Sequence, residues 1–338
     1  YRFRTQFQRA VRAPNIGELF QPQVNGFPNI ADPCSGGANG GYGALQPGEI
    51  ATVTAQCTAN GVPASAVGTP LQVNSQIEGL FGGNPNLNEE VADTFTAGVI
   101  LEPSFIDDLT VTIDYYDIKI EDVIGNVPSQ TIFDLCYVEA VDSFCNLISR
   151  NASGTVNIFN SFSLNAAELT TKGVDISVDY SWDAGEFGTF GVYSLINWTD
   201  ENVFQALPTS EAIDCVGFYG ATCGEPIPEW TFNTRVDWQK GPYGARLRWQ
   251  RISEVEDDLL RAGGTADLFV PGVDAYDQVD LTGFWNVNDN LYLSLGIENL
   301  FDTEYEIIGD ASAQQSNTHP ATYDTIGRTF YLRAVVDF

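Results

Sequence analysis

The chain has no methionine, and it has only three lysines and one histidine among its 338 residues. Its 45 aspartates and glutamates outnumber its 15 lysines and arginines, so the formal net charge is −30. Nucleic-acid binding depends on Lys and Arg side chains that neutralise phosphates, so no nucleic-acid partner is expected. The acidity leaves two interpretations open: a solvated surface, or loops that bind divalent cations or basic ligands.

Long apolar segments are also missing. Although 43% of the residues are hydrophobic, no run approaches the ~18 apolar residues that a membrane-spanning helix needs. This excludes a helical membrane protein but leaves a membrane barrel possible, because a barrel strand needs only ~9–11 residues with every second one apolar. The sequence shows no signal peptide, and residues 1–4 already alternate like the middle of a strand. The chain is therefore expected to be part of a longer protein.

The six cysteines lie in three pairs that are close in sequence. Six cysteines allow ~15 pairings, and sequence proximity favours three local disulfides: Cys34–Cys57, Cys136–Cys145 and Cys215–Cys223. Metal binding is the rival interpretation, but it usually needs tighter C-x2-C spacing together with histidines, and His319 is the one histidine. No metal site is predicted. Disulfides indicate a secreted or cell-surface setting.

Alternation of apolar and polar residues predicts ten β-strands. They lie at about residues 1–8, 91–102, 109–120, 172–182, 187–199, 228–238, 244–255, 276–287, 291–301 and 327–338. Short connections at 103–108, 183–186, 239–243 and 288–290 alternate with long ones at 13–90, 121–171, 200–227, 256–275 and 302–326. Short turns on one side and long loops on the other are typical of an outer-membrane β-barrel, and all three cysteine pairs fall in long connections.

The faces of the predicted strands support the same architecture. In the last strand, one face is predicted to contact lipid: Phe330, Leu332, Ala334, Val336 and Phe338. The opposite face carries Arg328, Tyr331, Arg333 and Asp337. Aromatic residues beside the short turns are predicted to form an interfacial girdle: Trp182, Phe187, Trp238, Tyr243, Trp285 and Tyr292. A soluble β-sandwich or β-solenoid also alternates, but its strands are shorter and connections this long are unusual in it.

Four segments resemble motifs of TonB-dependent receptors. Residues 8–20, QRAVRAPNIGELF, resemble a segment found midway along those barrels. Residues 84–95 resemble their NPNLKPE stretch, with Asn88 and Glu89 in place of the usual Lys and Pro. Residues 298–305, ENLFDTEY, resemble the NLFD..Y signature of the penultimate strand. Residues 327–330 and the terminal Phe338 resemble the last strand, whose final aromatic is read by the barrel-assembly machinery.

The resemblance implies an all-β fold, a transmembrane antiparallel up-and-down β-barrel of ~22 strands with a plugged lumen. Residues 1–338 would be the C-terminal portion with the last ten strands, and the plug domain, the TonB box and the upstream strands are absent from the sequence. The implied function is an outer-membrane receptor that imports a scarce nutrient, such as a siderophore or other metal chelate, a vitamin or an oligosaccharide. Its energy would come from the TonB-ExbB-ExbD system acting on the plug.

The resemblance also implies where a substrate binds, between the outer loops and the plug apex. Aromatic side chains can stack on sugars, haem or catecholates, and arginines can pair with carboxylates or phosphates. The candidate ligand-binding residues in or near the long connections are Phe20, Phe27, Tyr42, Phe204, Phe218, Tyr219, Arg251 and Arg261. Packing of one loop against another is the alternative role for each of them. Outer-membrane lipid and lipopolysaccharide are further expected partners, and neither a cofactor nor catalysis is expected.

Two other functions stay open on the sequence. One is a structural barrel that anchors a surface partner through its loops. The other is an omptin-like protease, which would use His319 with Asp310 or Asp324 and would close as a small barrel. We predict instead that residues 1–9 and 328–338 do not pair with each other, because a ten-stranded lumen would be crowded by large polar side chains such as Arg4 and Arg248.

Overall fold

Ten antiparallel strands form one meander in which each strand pairs with the next one along the chain. The computed structural model describes residues 1–207, 210–220, 222–263, 270–308 and 315–337. The strands are β1 (Arg2–Arg12), β2 (Glu90–Leu101), β3 (Leu109–Asn126), β4 (Val156–Asp183), β5 (Thr189–Gln205), β6 (Trp230–Lys240), β7 (Tyr243–Ile252), β8 (Tyr276–Asn288), β9 (Leu291–Glu298) and β10 (Thr329–Val336). All ten predicted strands are confirmed.

The register of the sheet gathers apolar residues on one face and polar residues on the other. Leu247 on β7 lies opposite Val236 on β6 and Leu281 on β8. One residue further on, Arg248 lies opposite Arg235 and Asp280. Because successive side chains of a strand point to opposite faces, one register fixes the face of every residue in the ladder. We call the side with Leu247 the apolar face and the side with Arg248 the polar face.

The last strand follows the predicted alternation. Phe330 and Leu332 lie opposite Ile297 and Leu295, whereas Arg333 lies opposite Ser294. Phe330 and Leu332 therefore share the apolar face with the rest of the meander, as predicted. Phe338 lies outside the described residues.

Two rows of aromatic rings border the apolar face. Near the long connections, neighbouring rings stack with centroids 6.0 Å apart: Trp198, Trp230, Phe232 and Trp249. Near the short turns, ring contacts at 5.1–6.2 Å join Tyr180 to Trp182, Trp182 to Phe190, and Tyr243 to Trp285. Trp230 and Trp238 on β6 are separated by ~27 Å along the strand. For a tilted strand this suits an apolar band ~25 Å tall with an aromatic girdle at each border.

One residue of the predicted girdle was assigned to the wrong face. Tyr292 pairs with Asn286 and Val335 and stacks on Phe284 at 6.2 Å, on the polar face. Its neighbours Leu291 and Leu293 occupy the apolar face, so alternation puts the tyrosine on the opposite side.

The edges of the meander are open. In the described parts of the chain, β1 pairs only with β2 and β10 pairs only with β9. The prediction that residues 1–9 do not pair with the end of the chain is therefore confirmed. The short turns also lie where predicted; between β6 and β7, Gly241 has φ 55°, a left-handed conformation that glycine adopts without strain.

The long connection predicted at residues 121–171 was wrong in extent. Strand β3 continues to Asn126, and β4 already begins at Val156. Residues 156–162 pair with loop strands rather than with the meander, and Phe159 is fully buried there. Serines and asparagines hide the alternation in this segment, so the pairing depends on loop residues distant in sequence. Phe204 is likewise inside β5, opposite Leu169, and not in a loop.

The long connections contain short elements of their own. Their helices are Ile16–Phe20, Ile50–Ala59, Ser129–Tyr137 and Asp142–Cys145. They also contain 3-10 turns at Tyr42–Ala44, Asp258–Gly263 and Gln315–Asn317. Another 3-10 turn, Gly185–Phe187, lies in the short connection between β4 and β5. Their short strands are Val24–Gly26, Gly79–Gly82, Ile148–Arg150, Ile213–Asp214, Phe218–Tyr219, Val255–Asp257 and Gly272–Val273. Asn15 caps the first helix through a capping box with Glu18. None of the described helices is long and apolar enough to cross a membrane.

Candidate functional site

A cavity of about 690 Å³ lies on the polar face, between the strands and the last long connection. We call it the strand cavity. Its wall includes Arg4, Asp114, Asp175, Asn197, Thr231, Asn233, Gln250, Tyr276, Gln278 and Thr322. A volume of this size is within the range of small-molecule sites, ~300–1,000 Å³.

Arg4 in this wall is paired with a carboxylate, whereas Asp175 accepts from a neutral amide. Arg4 donates from Nε to Asp114 Oδ1 at 2.7 Å and forms a second contact through Nη2. Asn197 donates from Nδ2 to Asp175 Oδ1 at 2.8 Å and to the Tyr116 hydroxyl at 3.1 Å. The cavity therefore presents neutral polar groups with few uncompensated charges.

Three carboxamides line up across neighbouring strands of the wall. Asn233 on β6 lies directly opposite Gln250 on β7, and Gln250 lies opposite Gln278 on β8. Gln278 donates from Nε2 to Asp280 at 3.0 Å. The side chains of Asn233 and Gln250 make no hydrogen bond to any residue in the described ranges. Their amides are available for a ligand, since each offers two donors and an acceptor.

The first two long connections pack into one body, which we call the first loop cluster. Its buried core comprises Ile30, Val53, Val62, Ile77, Ile132, Phe133, Leu135, Tyr137, Phe144 and Phe159. The predicted disulfides Cys34–Cys57 and Cys136–Cys145 are confirmed, and both are buried in this core. Cross-links of this kind restrict the unfolded chain, and each contributes ~2–4 kcal/mol.

A buried ion pair joins the two connections of the first loop cluster. Arg150 forms two contacts of 2.7 Å with Asp32, and the two side chains are only 1% and 2% exposed. The guanidinium also donates to the Tyr137 hydroxyl at 2.9 Å and to the Gly154 carbonyl at 2.8 Å. Burial alone would lower the pKa of Arg150, but the contacts with Asp32 outweigh it and raise the pKa. The pair fixes how the second connection sits on the first.

A second cavity, of about 300 Å³, opens on the first loop cluster beside Phe27, and we call it the Phe27 pocket. Phe27 is 56% exposed, and the pocket wall adds the polar side chains of Gln72, Asn74, Gln76, Glu78 and Asn157. Glu78 accepts a hydrogen bond of 2.6 Å from Asn25 Nδ2. An exposed ring beside several carboxamides can stack on a flat ligand and bond to its hydroxyls.

The remaining long connections build a second loop cluster. Its core is Tyr219, Val255, Val273, Tyr276, Ile308 and Tyr323. The third predicted disulfide, Cys215–Cys223, is confirmed here. Tyr276 packs edge-on against Tyr323 at 5.6 Å and also lines the strand cavity, so this cluster adjoins the cavity.

The single histidine belongs to the second loop cluster. His319 is 3% exposed. Its Nδ1 atom shares a hydrogen bond of 3.0 Å with Glu225 Oε2, and its ring packs against the Tyr219 ring with the centroids 5.4 Å apart. Three buried atoms of this part of the chain have no hydrogen-bond partner in the described ranges: Thr318 Oγ1, His319 Nε2 and the Tyr323 hydroxyl. Asp310, proposed as a protease carboxylate, lies outside those ranges. A buried imidazole held by a glutamate gives the protease hypothesis no support.

The burial of Tyr219 predicts that the second loop cluster loses stability at alkaline pH. Desolvation, followed by the charges of Asp257 and Glu306, raises the pKa of Tyr219 to about 12, above an unfolded value of ~10. The folded state favours the protonated hydroxyl of Tyr219. Its contribution to the free energy of unfolding is therefore complete below pH ~10 and is lost as the pH rises toward 12. We expect a loss on the order of 1 kcal/mol at pH ~11, measured as faster amide exchange of residues 215–220 and 222–223 at pH ~11 than at pH ~9 beyond the chemical rate.

The variant Tyr219→Phe serves as the control for that measurement, because it removes the ionising group and keeps the ring. Its amide protection should change less between the two pH values. Equal alkaline loss in both proteins would contradict the assignment to Tyr219.

The candidate residues from the sequence fall at several separate places. Phe27 borders the Phe27 pocket, while Phe20 ends the helix Ile16–Phe20 and is exposed. Tyr42 bonds to Thr54 Oγ1 at 3.0 Å within the first loop cluster. Arg251 borders the strand cavity, but its register puts it on the apolar side, and it pairs with Asp277 at 2.5 Å.

The other candidates group around the second loop cluster. Phe218 and Tyr219 pair in parallel with Glu256 and Asp257, and Arg261 follows in the 3-10 turn Asp258–Gly263. Ligand contact by any of the eight residues stays a prediction. Sequence reasoning missed the carboxamides of the strand cavity, although their alternation with apolar residues was a signal for a common polar face.

No group of three or more His, Cys, Asp or Glu side chains able to hold a metal ion occurs in the described portion of the chain.

The family described as TonB dependent receptor-like, beta-barrel, matches residues 1–300. A search of curated proteins found no match.

Solved structures share the fold at low sequence identity. A mutant of the ferric enterobactin receptor PfeA from Pseudomonas aeruginosa, in complex with enterobactin, gives a TM-score of 0.60 at 15% identity, covering 99% of this chain and 38% of that chain. The siderophore receptor PirA from Acinetobacter baumannii gives 0.57 at 16% identity, with 99% and 39% covered. The copper transporter OprC gives 0.50 at 14% identity, with 99% and 36% covered. This chain thus spans less than two fifths of the length of each, and the likeness concerns the fold alone.

Proposed function

This chain belongs to the family of TonB-dependent receptor-like β-barrels of the outer membrane, and from that premise we propose that it forms part of the wall of an energised nutrient importer. The observation that carries the proposal is the two-faced meander. Its apolar face is bordered by two aromatic rows, and its polar face contains the strand cavity beneath the long loops. Such a wall separates lipid from a ligand path, as an importer requires.

We propose that residues 1–338 are the C-terminal portion of the barrel, and that a plug and further strands belong to the same protein. The free edges of β1 and β10 support this, because unpaired backbone groups in the hydrocarbon region cost several kcal/mol each. The much greater length of the structurally similar receptors also supports it.

The substrate would be a metal chelate, a vitamin or an oligosaccharide that binds near the outer loops. Of the proposed ligand residues, Phe27 and Arg251 border cavities. The proposed partners are the TonB-ExbB-ExbD system through the plug, lipid and lipopolysaccharide around the apolar face, and the assembly machinery at the last strand. We propose no catalytic role, because the family is one of receptors and transporters.

Competitive growth on many nutrients in parallel tests the importer function. A strain lacking the full-length receptor gene is grown against its parent on a panel of sole carbon sources and iron chelates, each at limiting concentration. We expect a growth defect on at least one nutrient, and the same defect after deletion of TonB. A receptor-specific defect that persists when TonB is already absent would contradict energised import. No shared defect on any nutrient would also count against it.

A further inference from the structure

We infer that the two cavities bind a neutral, polyhydroxylated ligand, an oligosaccharide, rather than an anionic metal chelate; this inference rests on the importer function proposed above. The first supporting observation is the net negative charge of two long connections. The first long connection, residues 13–89, has five carboxylates and no lysine, arginine or histidine, and residues 206–229 have four carboxylates and no basic residue. A negative field of this kind opposes the approach of a polyanion such as a ferric catecholate.

Arginines near the two cavities do not offset this field. Arg4 is held by Asp114, Arg251 by Asp277, and Arg150 is buried against Asp32. A chelate with several negative oxygens would need some of these guanidiniums, and each would have to leave a carboxylate. Binding of an anion here would therefore exchange one ion pair for another and leave a carboxylate uncompensated.

A cationic ligand finds few partners inside the cavities. Asp114 and Asp32 are paired with arginines, whereas Asp175 and Glu78 accept hydrogen bonds from the neutral amides of Asn197 and Asn25 and keep their charge. These two carboxylates can accept from ligand hydroxyls, and most of the other polar groups in the two walls are neutral donors and acceptors.

The carboxamide row suits a chain of sugar rings. Asn233, Gln250 and Gln278 occur on three adjacent strands, which are spaced by ~4.8 Å. Asn233 and Gln250 can each donate to one hydroxyl and accept from another, as sugar hydroxyls require. Gln278 already donates to Asp280 and accepts from the Tyr276 hydroxyl, so it extends the polar row with its remaining hydrogen-bonding capacity. Tyr276, which is buried in the second loop cluster, closes the end of the same wall.

The Phe27 pocket repeats the same chemistry outside the sheet. It combines one half-exposed ring with the carboxamides of Asn74, Gln76 and Asn157 and has no basic side chain in its wall. The carboxamide of Gln72 in the same wall is bonded to the backbone of Ile30 and Asp32. Both cavities offer carboxamides beside aromatic residues, and the arginines in the strand cavity are paired with carboxylates. We assign the Phe27 pocket as an outer subsite and the strand cavity as an inner one.

The test uses the full-length receptor that contains these residues, purified in detergent and titrated calorimetrically. The probes are neutral malto-, cello-, xylo- and chito-oligosaccharides, a ferric tris-catecholate and a lysine-rich peptide. We expect saturable binding of at least one neutral oligosaccharide. We expect the double variant Asn233→Leu with Gln250→Leu to weaken it about tenfold, through lost hydrogen bonds. Phe27→Ala should weaken it by a similar factor, through lost stacking.

Matched controls change similar side chains away from the cavities. Gln6→Leu removes a carboxamide from the polar face of β1, and Phe105→Ala removes an exposed ring from a short turn. Both should keep the oligosaccharide affinity of the unmodified receptor. Circular dichroism of all variants verifies that the barrel is intact.

Several outcomes would overturn the inference. Saturable binding of only the ferric catecholate or only the peptide would do so, as would the absence of binding to any neutral oligosaccharide. Oligosaccharide binding by the double variant and by Phe27→Ala that is as strong as binding by the unmodified receptor would overturn the assigned subsites. The importer proposal is judged separately, by the shared growth defect of the receptor and TonB deletions. A TonB-dependent defect on an iron chelate would therefore uphold import and refute the oligosaccharide.

Discussion

Replacing Arg150 with methionine should destabilise the first loop cluster by about 3–5 kcal/mol, the usual cost of removing one partner of a buried ion pair. The substitution leaves the Asp32 carboxylate 2% exposed and without its two guanidinium contacts. It also removes the donor to the Tyr137 hydroxyl. The measurement is native-state amide exchange in the full-length receptor. Residues 50–59 and 129–137 should lose protection, while the barrel strands keep theirs.

A double variant and a surface pair provide the controls for Arg150. In Asp32→Leu with Arg150→Met, both charges are absent, so much of the lost protection should return. Arg9→Met breaks the pair with Asp93, whose side chains are 62% and 31% exposed, and should change protection little. Unchanged exchange in Arg150→Met would show that the ion pair does not hold the two connections together.

The substitution Leu247→Arg should cost about 2–4 kcal/mol, the cost of an arginine near the bilayer midplane. Leu247 lies on the apolar face, two residues from Trp249 of one aromatic row and four from Tyr243 of the other. Ala334→Arg should cost less, because Ala334 pairs with Leu293, which lies opposite Trp285 in the aromatic row of the short turns. The measurement is denaturant unfolding of the full-length receptor in lipid vesicles, followed by tryptophan fluorescence.

A charge of the same kind on the polar face is the matched control. Gln8 on β1 lies opposite Thr94 on the polar face, so Gln8→Arg should leave the unfolding midpoint nearly unchanged. If Gln8→Arg and Leu247→Arg shift the midpoint equally, the assignment of the two faces is wrong.

The sequence by itself determined the class of fold and the faces of the strands. A strand repeats every two residues, so the alternation of Leu247, Arg248 and Trp249 already separates an apolar from a polar side, and pairing keeps that separation. Short turns were evident because they interrupt this alternation over a few residues. Sequence proximity also identified the three disulfides, because each closes within one connection.

Only the tertiary structure decided the loops and the cavities. Arg150 and Asp32 are separated by 118 positions, and nothing local indicates that they meet. The first half of β4 becomes a strand because Phe159 packs among residues of two connections. Its ring contacts Phe81 and Phe133, so these distant residues stabilise the strand as much as the residues of the segment itself. The row of Asn233, Gln250 and Gln278 depends on the relative register of β6, β7 and β8. That register is fixed only when β6 pairs with β7 across a short turn and β7 pairs with β8 across a long connection. Periodicity is a local property, whereas register and loop packing depend on partners far away in the chain.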